Sequence, residues 1–267
     1  MLTRSAVACE VGRVTPLPPA IPPRQLVRTW GLAIALLALA KGVSFGVPLL
    51  AANLAGVAAL LFVLLPDRLL RARDELWDAY GLPWWGAADG RTWRAWGRGA
   101  LWALGLSALI FPLFALGYWR FAEALPALPE SLARALAPYV GTPRFALRAP
   151  DDLALRILTQ VLVVALPEEL FYRGFMQTAW SKSAAGGRTV RVLGAELGPG
   201  FLRTQLLFAL GHLVVLQPWR LGTFFPGLLF GWLRARTGNL AAPVLFHALS
   251  NLLMMTLEAS FYGGHGG

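Results

Sequence analysis

Ionisable and amide side chains occur at three places inside the apolar stretches of the C-terminal half of this chain. They are Glu168, Glu169 and Arg173 in PEELFYR, His212 in FALGH, and His247 and Asn251 in HALSN. Charged groups within a bilayer are costly unless they face a polar interior, so they usually mark a functional site. Two carboxylates, two imidazoles, an amide and a guanidinium are a credible set for hydrolysing an amide bond. These residue types predict an intramembrane hydrolase.

The two adjacent glutamates must have different roles, because neighbouring residues on a helix point about 100° apart. Glu169 and Arg173 are four residues apart and can form an ion pair on one face. Glu168 is then free to project into the bundle. A carboxylate in a low-dielectric cavity binds protons more strongly, which makes it a better general base towards water near neutral pH. The alternative is a solvated helix end, but apolar residues lie on both sides of this motif.

The histidines and the asparagine allow two interpretations each. His212 follows Phe208 by one turn in an otherwise apolar run, so it is either a core histidine or a residue that positions and activates water. His247 and Asn251 are four residues apart and lie on one helix face. An imidazole and an amide on one face can hydrogen-bond an oxyanion. They can equally well connect two membrane helices.

The composition places the chain in a membrane. It has 267 residues, of which 57% are hydrophobic and 14% are charged, whereas soluble domains carry about 25% charged residues. The net charge of +10 does not indicate nucleic acid, because the arginines flank the apolar runs, where they suit membrane topology and anionic lipid. The only cysteine, Cys9, leaves no internal disulfide and no thiolate metal cluster.

The apolar runs predict an all-α, polytopic transmembrane bundle of about seven spans, with the catalytic core in the last four helices. Residues 1–26 are a proline-rich tail that we expect to be disordered, 27–152 hold N-terminal transmembrane helices and interfacial connections, and 153–260 form the core. The spans are expected in two helices within 26–65, broken near 41–48, and at 99–118, 153–180, 200–216, 222–233 and 240–258. Residues 129–136 are expected to form a short helix.

The distribution of arginine and lysine predicts the orientation. With seven spans, most of these residues lie in segments on the same side of the membrane as the N-terminus. This bias indicates a cytoplasmic N-terminus and an external C-terminus. On this topology Glu168 and His212 both lie about 18 Å from the cytoplasmic ends of their helices, and His247 about 12 Å. The arginine-rich, lysine-poor composition indicates a GC-rich bacterial genome, so we expect the bacterial cytoplasmic membrane.

The order EExxxR, FxxxH and HxxxN on successive apolar helices resembles the CPBP family of intramembrane proteases. This family includes the Rce1-like type II CAAX prenyl proteases and the Abi-type proteins. The resemblance covers about residues 153–258 and fills every motif position. It implies that Glu168 and His212 activate water, that His247 and Asn251 form the oxyanion hole, and that Glu169, Arg173 and Phe208 support the site. It also implies a metal-free, glutamate-dependent reaction, although two histidines and a glutamate could bind zinc.

The implied substrate is a membrane-embedded or lipidated protein cut near its C-terminus, and a myxosortase-like sorting protease is one form of this function. Two other functions stay open from the sequence. A non-catalytic scaffold or bacteriocin-immunity-type protein could retain the fold, although it would have no need for Glu168 and both histidines. A transporter could use the same groups as a proton relay, but no repeated halves are visible.

Overall fold

Helices provide nearly all the regular structure of this chain. The computed structural model describes residues 20–82, 89–136, 143–184 and 187–262. Within these ranges the chain folds as an all-α membrane bundle, as the sequence predicts. Cys9 and most of the proline-rich segment lie outside the described residues.

The described part of the N-terminal half contains five helices. They are α1 (Pro23–Ser44), α2 (Pro48–Ala52), α3 (Leu54–Arg71), α4 (Gly90–Ala124) and α5 (Glu130–Leu136), with 3₁₀ turns at Trp77–Tyr80 and Leu125–Ala127. The break expected near 41–48 is present between α1 and α2. Helix α4 begins nine residues before the predicted span at 99–118, because the Asp89 carboxylate caps it by accepting a hydrogen bond from the Thr92 amide at 2.8 Å.

A continuous helical segment at residues 153–183, which we call the glutamate helix, follows. It consists of α6 (Leu153–Leu158), a first π-helical part (Thr159–Ala165), α7 (Leu166–Glu169), a second π-helical part (Leu170–Gln177) and α8 (Thr178–Ser183). Pro167 lacks the N–H that an α-helix would direct at residue 163, and such a missing bond favours a wider turn. The sequence pattern predicts the helix but not its π-helical parts.

After the glutamate helix, the residues that the structure describes form three further helices and one short hairpin. Helix α9 (Pro199–Gly211) continues into a 3₁₀ turn at His212–Val215, and a second 3₁₀ turn at Pro218–Thr223 leads to α10 (Phe224–Thr237) and α11 (Ala241–Tyr262). The hairpin of β1 (Val190–Val192) and β2 (Ala195–Leu197) is antiparallel and pairs Arg191 with Glu196. The prediction omitted it. Its turn places both Leu193 and Gly194 at positive φ, as the type I′ turn of a two-residue hairpin requires.

Among the described residues, three helices are long and apolar enough to cross a membrane, at Pro23–Ser44, Gly90–Ala127 and Ala241–Tyr262, and the helix at Pro199–Val215 is shorter but apolar. Large apolar side chains on the outer faces of the bundle are exposed, among them Leu39, Leu101 and Leu109. Outward apolar faces of this kind fit a hydrocarbon surrounding. The chain is therefore an integral membrane protein, and the number of seven spans stays a prediction.

An aromatic core surrounds the middle of the glutamate helix. Phe62 of α3 contacts the rings of Phe171 and Tyr172 at 4.9 and 5.6 Å between centroids. Phe208 of α9 packs edge-on against Tyr172 at 5.0 Å, and Phe230 of α10 lies 6.1 Å from Phe208. Helix α11 packs against α4, α10 and the first π-helical part. These contacts hold α9, α10 and α11 around the glutamates.

The buried carboxylate of Glu75 links the segment between α3 and α4 to the end of the glutamate helix. Glu75 accepts hydrogen bonds from the Tyr80 hydroxyl at 2.6 Å, from Arg73 at 3.1 Å and from Lys182 at 3.2 Å. Desolvation by burial raises the pKa of Glu75, but hydrogen bonds from Tyr80, Lys182 and Arg73 together outweigh it, so the pKa is lowered. The ionised form of Glu75 therefore stabilises this junction.

Candidate active site

The two glutamates lie in the single α-helical turn between the two π-helical parts of the glutamate helix. Glu169 is completely buried, whereas the Glu168 side chain is 18% exposed. The two carboxylates thus have different surroundings, as their adjacency predicts. Short π-helical stretches inserted into α-helices occur frequently at functional sites.

Glu169 holds the arginine and one histidine of the site together. Arg173 Nη1 donates a hydrogen bond to Glu169 Oε1 at 2.9 Å, which is the ion pair that the four-residue spacing predicts. The same oxygen lies 2.8 Å from Nδ1 of His247, on α11. All three side chains are buried. A carboxylate at Nδ1 fixes the orientation of the imidazole ring, so that its Nε2 faces the opposite way.

Arg173 extends this cluster across α9 and α10. Its Nη2 donates to Gln205 Oε1 at 2.7 Å and to the Gly227 carbonyl at 3.2 Å. The guanidinium also lies 4.2 Å from the centre of the Phe208 ring and 5.0 Å from that of Phe230. A buried arginine needs such a set of acceptors and ring faces to offset its desolvation.

Two glycines on α10 make room for this polar network. Gln205 Nε2 donates to Gln177 Oε1 at 3.3 Å, and Gln177 Nε2 donates to the Gly231 carbonyl at 3.0 Å. A methyl group at Gly231 would overlap with Gln205 Nε2, and one at Gly227 would lie 3.1 Å from Phe208. The small-xxx-small pattern at these glycines therefore admits polar side chains next to the backbone.

Glu168 faces the other nitrogen of His247. Glu168 Oε2 and His247 Nε2 are 3.9 Å apart. This oxygen is buried and has no hydrogen-bond partner among the residues that the structure describes. His212 is close enough to Glu168 and to His247 for both to act on it electrostatically. The structure thus brings Glu168, His212 and His247 together, although they lie on three different helical segments.

Phe208 separates and supports the two histidines. Its ring centroid lies 4.6 Å from that of His212 and 6.1 Å from that of His247, in edge-on geometry in both cases. His212 Nδ1 is 2.8 Å from the Phe208 carbonyl oxygen, which can only accept, so Nδ1 carries the proton and donates. In the neutral ring, Nε2 of His212 is then an acceptor.

Asn251 lies one turn beyond His247 on α11, as predicted, and contacts a residue that the sequence analysis missed. Its Nδ2 donates a hydrogen bond to Oε1 of Gln160 at 2.8 Å. Gln177 and Gln205 were missed as well. The available signals were the four-residue steps from Glu169 through Arg173 to Gln177 and the polar Gln205 inside an apolar helix. A neutral amide is a weaker signal than a charge in such helices.

The zinc alternative has a geometric test. Across residues 20–82, 89–136, 143–184 and 187–262, no three His, Cys, Asp or Glu side chains are arranged to hold a metal ion. Glu169 instead contacts His247 and Arg173, and His212 Nδ1 contacts the Phe208 carbonyl oxygen. The metal-free reaction stays a prediction.

Comparison with known families identifies the region that holds these residues. Residues 150–253 match the family model of the type II CAAX prenyl endopeptidase Rce1-like proteins. This stretch is similar to an Rce1-like protease domain. It contains every predicted site residue from Glu168 to Asn251, and it confirms the resemblance that the three motifs indicated. Comparisons with curated proteins and with solved structures gave no match.

The Rce1-like proteins are a protease family, so the match supports intramembrane protease activity for this chain. The matched stretch includes the glutamate helix and most of α11 but none of α1 to α5. Residues outside the matched stretch nevertheless pack against the site. A methyl group at Gly211, next to His212, would lie 2.7 Å from the Tyr172 hydroxyl and 3.2 Å from Ile34 of α1.

Proposed function

We propose that this chain is a glutamate-dependent intramembrane endopeptidase that cleaves a membrane-anchored or lipidated protein near its C-terminus. The observation that carries the proposal is the Glu168 carboxylate, whose Oε2 is buried, faces His247 Nε2 at 3.9 Å and lies within electrostatic range of His212. A carboxylate with no other partner among the described residues is available to take a proton from water.

In this reaction Glu168 and His212 hold the attacking water. His212 Nε2 accepts one hydrogen bond from the water, because its Nδ1 donates to the Phe208 carbonyl. Glu168 accepts the second hydrogen and removes it as the water oxygen forms a bond to the scissile carbonyl carbon. When the C–N bond breaks, Glu168 returns this proton to the leaving amine.

His247 and Asn251 stabilise the oxyanion of the tetrahedral intermediate. Glu169 accepts at Nδ1 of His247 and directs Nε2 towards Glu168. In the protonated ring, Nε2–H is a donor for the oxyanion, and an N–H of Asn251 is a second one. Arg173 holds Glu169 in place, so the Glu169–Arg173 pair acts on the reaction only through His247.

The name of the matched family points to prenylated CAAX proteins as one substrate class. Membrane-anchored proteins that carry no prenyl group are the other, which includes the substrates of a sorting protease. We place the enzyme in a bacterial cytoplasmic membrane with its N-terminus inside, and the lipid bilayer and the substrate are its only proposed partners. No cofactor and no nucleic acid take part.

The proposal is tested by mapping new C-termini in membrane proteomes. Cells expressing the wild type, Glu168→Ala or Glu130→Ala at matched abundance are compared by mass spectrometry. Glu130 is a suitable control because its side chain is 82% exposed on α5. We expect a defined set of termini with the wild type and with Glu130→Ala, and none of them with Glu168→Ala. If all three proteomes are the same and Glu168→Ala rescues a deletion phenotype, the protein is a scaffold.

A further inference from the structure

Gln160 forms the second polar contact between the glutamate helix and α11. It lies in the first π-helical part, eight residues before Glu168, and it is half-buried. Its Oε1 accepts the hydrogen bond from Asn251 Nδ2 at 2.8 Å. Glu169 makes the corresponding contact to His247 at 2.8 Å. Each of the two residues assigned to the oxyanion hole is thus held by a separate acceptor on the glutamate helix.

We propose that Gln160 is a positioning residue that orients the Asn251 amide towards the scissile carbonyl. This inference rests on the proposed function. It adds a residue outside the three motifs and assigns it no contact with the substrate.

The chemistry of the amide explains why Asn251 needs a fixed orientation. A side-chain amide presents an NH₂ group with two hydrogens at one end and a carbonyl oxygen at the other. Only the NH₂ end can stabilise an oxyanion, and the oxygen would repel it. The Gln160 oxygen accepts one of the two hydrogens. The other remains for the oxyanion, while a rotated Asn251 would place two carbonyl oxygens against each other.

The geometry of the glutamate helix allows this contact. Gln160 and Glu168 both direct polar atoms at α11, to Asn251 and to His247 respectively. The π-helical part at Thr159–Ala165 lies between them, and α11 packs against it. Since each hydrogen bond spans five residues there, this part has more residues per turn than an α-helix. The spacing of eight residues thus corresponds to two wide turns on one face.

A purely structural role would give the same hydrogen bond, because amides also connect helices in membranes. The two roles differ in what the loss of this hydrogen bond changes. If Gln160 orients Asn251, its replacement lowers kcat without lowering the thermal stability of the protein, and it has no effect on turnover once Asn251 is gone. If Gln160 holds the two helices together through this bond, its loss lowers the thermal stability as well, and if it does so through other contacts, its loss reduces turnover regardless of residue 251.

The test is a double-mutant cycle with Gln160→Met and Asn251→Ala. Methionine is unbranched and of similar length, so it fills the same space without an acceptor oxygen. Thr159→Val is the matched control, since it removes the neighbouring polar group and leaves the Gln160–Asn251 contact intact. Activity is measured first as the rate at which Glu168-dependent C-termini accumulate in cells at matched protein abundance. It is then measured as kcat and KM of the purified proteins in nanodiscs, with a peptide that spans a mapped site.

Loss of one oxyanion donor costs about 10²- to 10³-fold in kcat, and we expect Gln160→Met to lose part of this, on the order of tenfold. KM should stay unchanged, and Gln160→Met should have no further effect in the Asn251→Ala background. Thr159→Val should lower neither constant. An equal loss from Gln160→Met in both backgrounds, a lower thermal stability of Gln160→Met than of Thr159→Val, a higher KM with normal kcat, or full activity of the single variant would each overturn the inference while leaving the proposed function intact.

Failure of the proposed function gives a different result. In that case no terminus depends on Glu168, or Asn251→Ala cleaves as fast as the wild type, and the positioning role is overturned with it. If Gln160→Met does not accumulate in membranes, Gln160→Ala takes its place in the same cycle. The same coupling with Asn251→Ala is then expected, and additive losses would again overturn the inference.

Discussion

Replacing Arg173 with methionine should strongly destabilise the fold, even though methionine fills much of the same space. Arg173 is fully buried and donates hydrogen bonds to Glu169, to Gln205 and to the Gly227 carbonyl. In Arg173→Met the Glu169 carboxylate keeps only its contact with His247. The other two acceptors lose the donor that Arg173 supplied.

The size of the effect follows from these contacts. Breaking a buried ion pair by removing one partner costs about 3–5 kcal/mol, because a buried charge is left uncompensated. Each buried acceptor without a donor costs about 1–3 kcal/mol more. The His247 contact offsets part of this loss, and such costs are not additive, so we expect a decrease of about 4 kcal/mol in the free energy of unfolding. That is a large share of the roughly 5–15 kcal/mol of a typical domain.

The assay is denaturation of the purified variants in one detergent. Arg120→Met is the control, because Arg120 forms an exposed i,i+3 pair with Glu123 at 3.0 Å, and such pairs contribute less than about 1 kcal/mol. The double variant Glu169→Gln/Arg173→Met removes the uncompensated charge and should recover part of the loss. Equal stability of Arg173→Met and Arg120→Met would refute the reasoning, as would a double variant less stable than Arg173→Met.

Three further predictions concern the glycines of α10, the carboxylate of Glu75 and the independence of cleavage from zinc. Gly231→Ala should destabilise the protein by about 1–3 kcal/mol, because the added methyl group would overlap with Gln205 Nε2. Gly105→Ala, which has no atom within 4 Å of the added group, should be neutral or stabilising in the same thermal unfolding assay, and the reverse order would contradict the packing. The lowered pKa of Glu75 means that its contribution is fully present above the unfolded pKa and is lost as pH falls through the folded pKa. The midpoint of unfolding should therefore drop more between neutral and acidic pH in the wild type than in Glu75→Gln, and parallel pH profiles would contradict this. Finally, cleavage should persist after treatment with a zinc chelator, and loss of cleavage that added Zn²⁺ restores would show a metalloenzyme.

The sequence predicted those parts of the site that depend on spacing within one helix. The Glu169–Arg173 pair follows from a four-residue step, and His247 and Asn251 share a face for the same reason. Glu169 and His247 are 78 residues apart in the sequence, so their contact depends on how the glutamate helix packs against α11. Spacing within one helix carries no information about such a contact.

The remaining differences have local causes. The π-helical parts leave the apolar pattern unchanged, so the pattern could not distinguish them from an α-helix. The three glutamines were not predicted, because a neutral amide in an apolar helix is a weaker signal than a charge, whereas the structure places these amides beside the charged groups and Asn251. The early start of α4 was accessible from the sequence, since Asp89 directly precedes it and aspartate is a favoured N-cap.

The most direct test of the central claim is single-turnover cleavage by the purified protein. Wild type, Glu168→Gln and Glu130→Gln are placed in nanodiscs with an excess of enzyme over a peptide that spans a mapped cleavage site. General-base catalysis contributes about 10²- to 10⁴-fold, so Glu168→Gln should cleave at least about a hundred times more slowly, with unchanged peptide binding. Glu130→Gln should match the wild type. Cleavage by Glu168→Gln at the wild-type rate would contradict the assignment of Glu168 as the base.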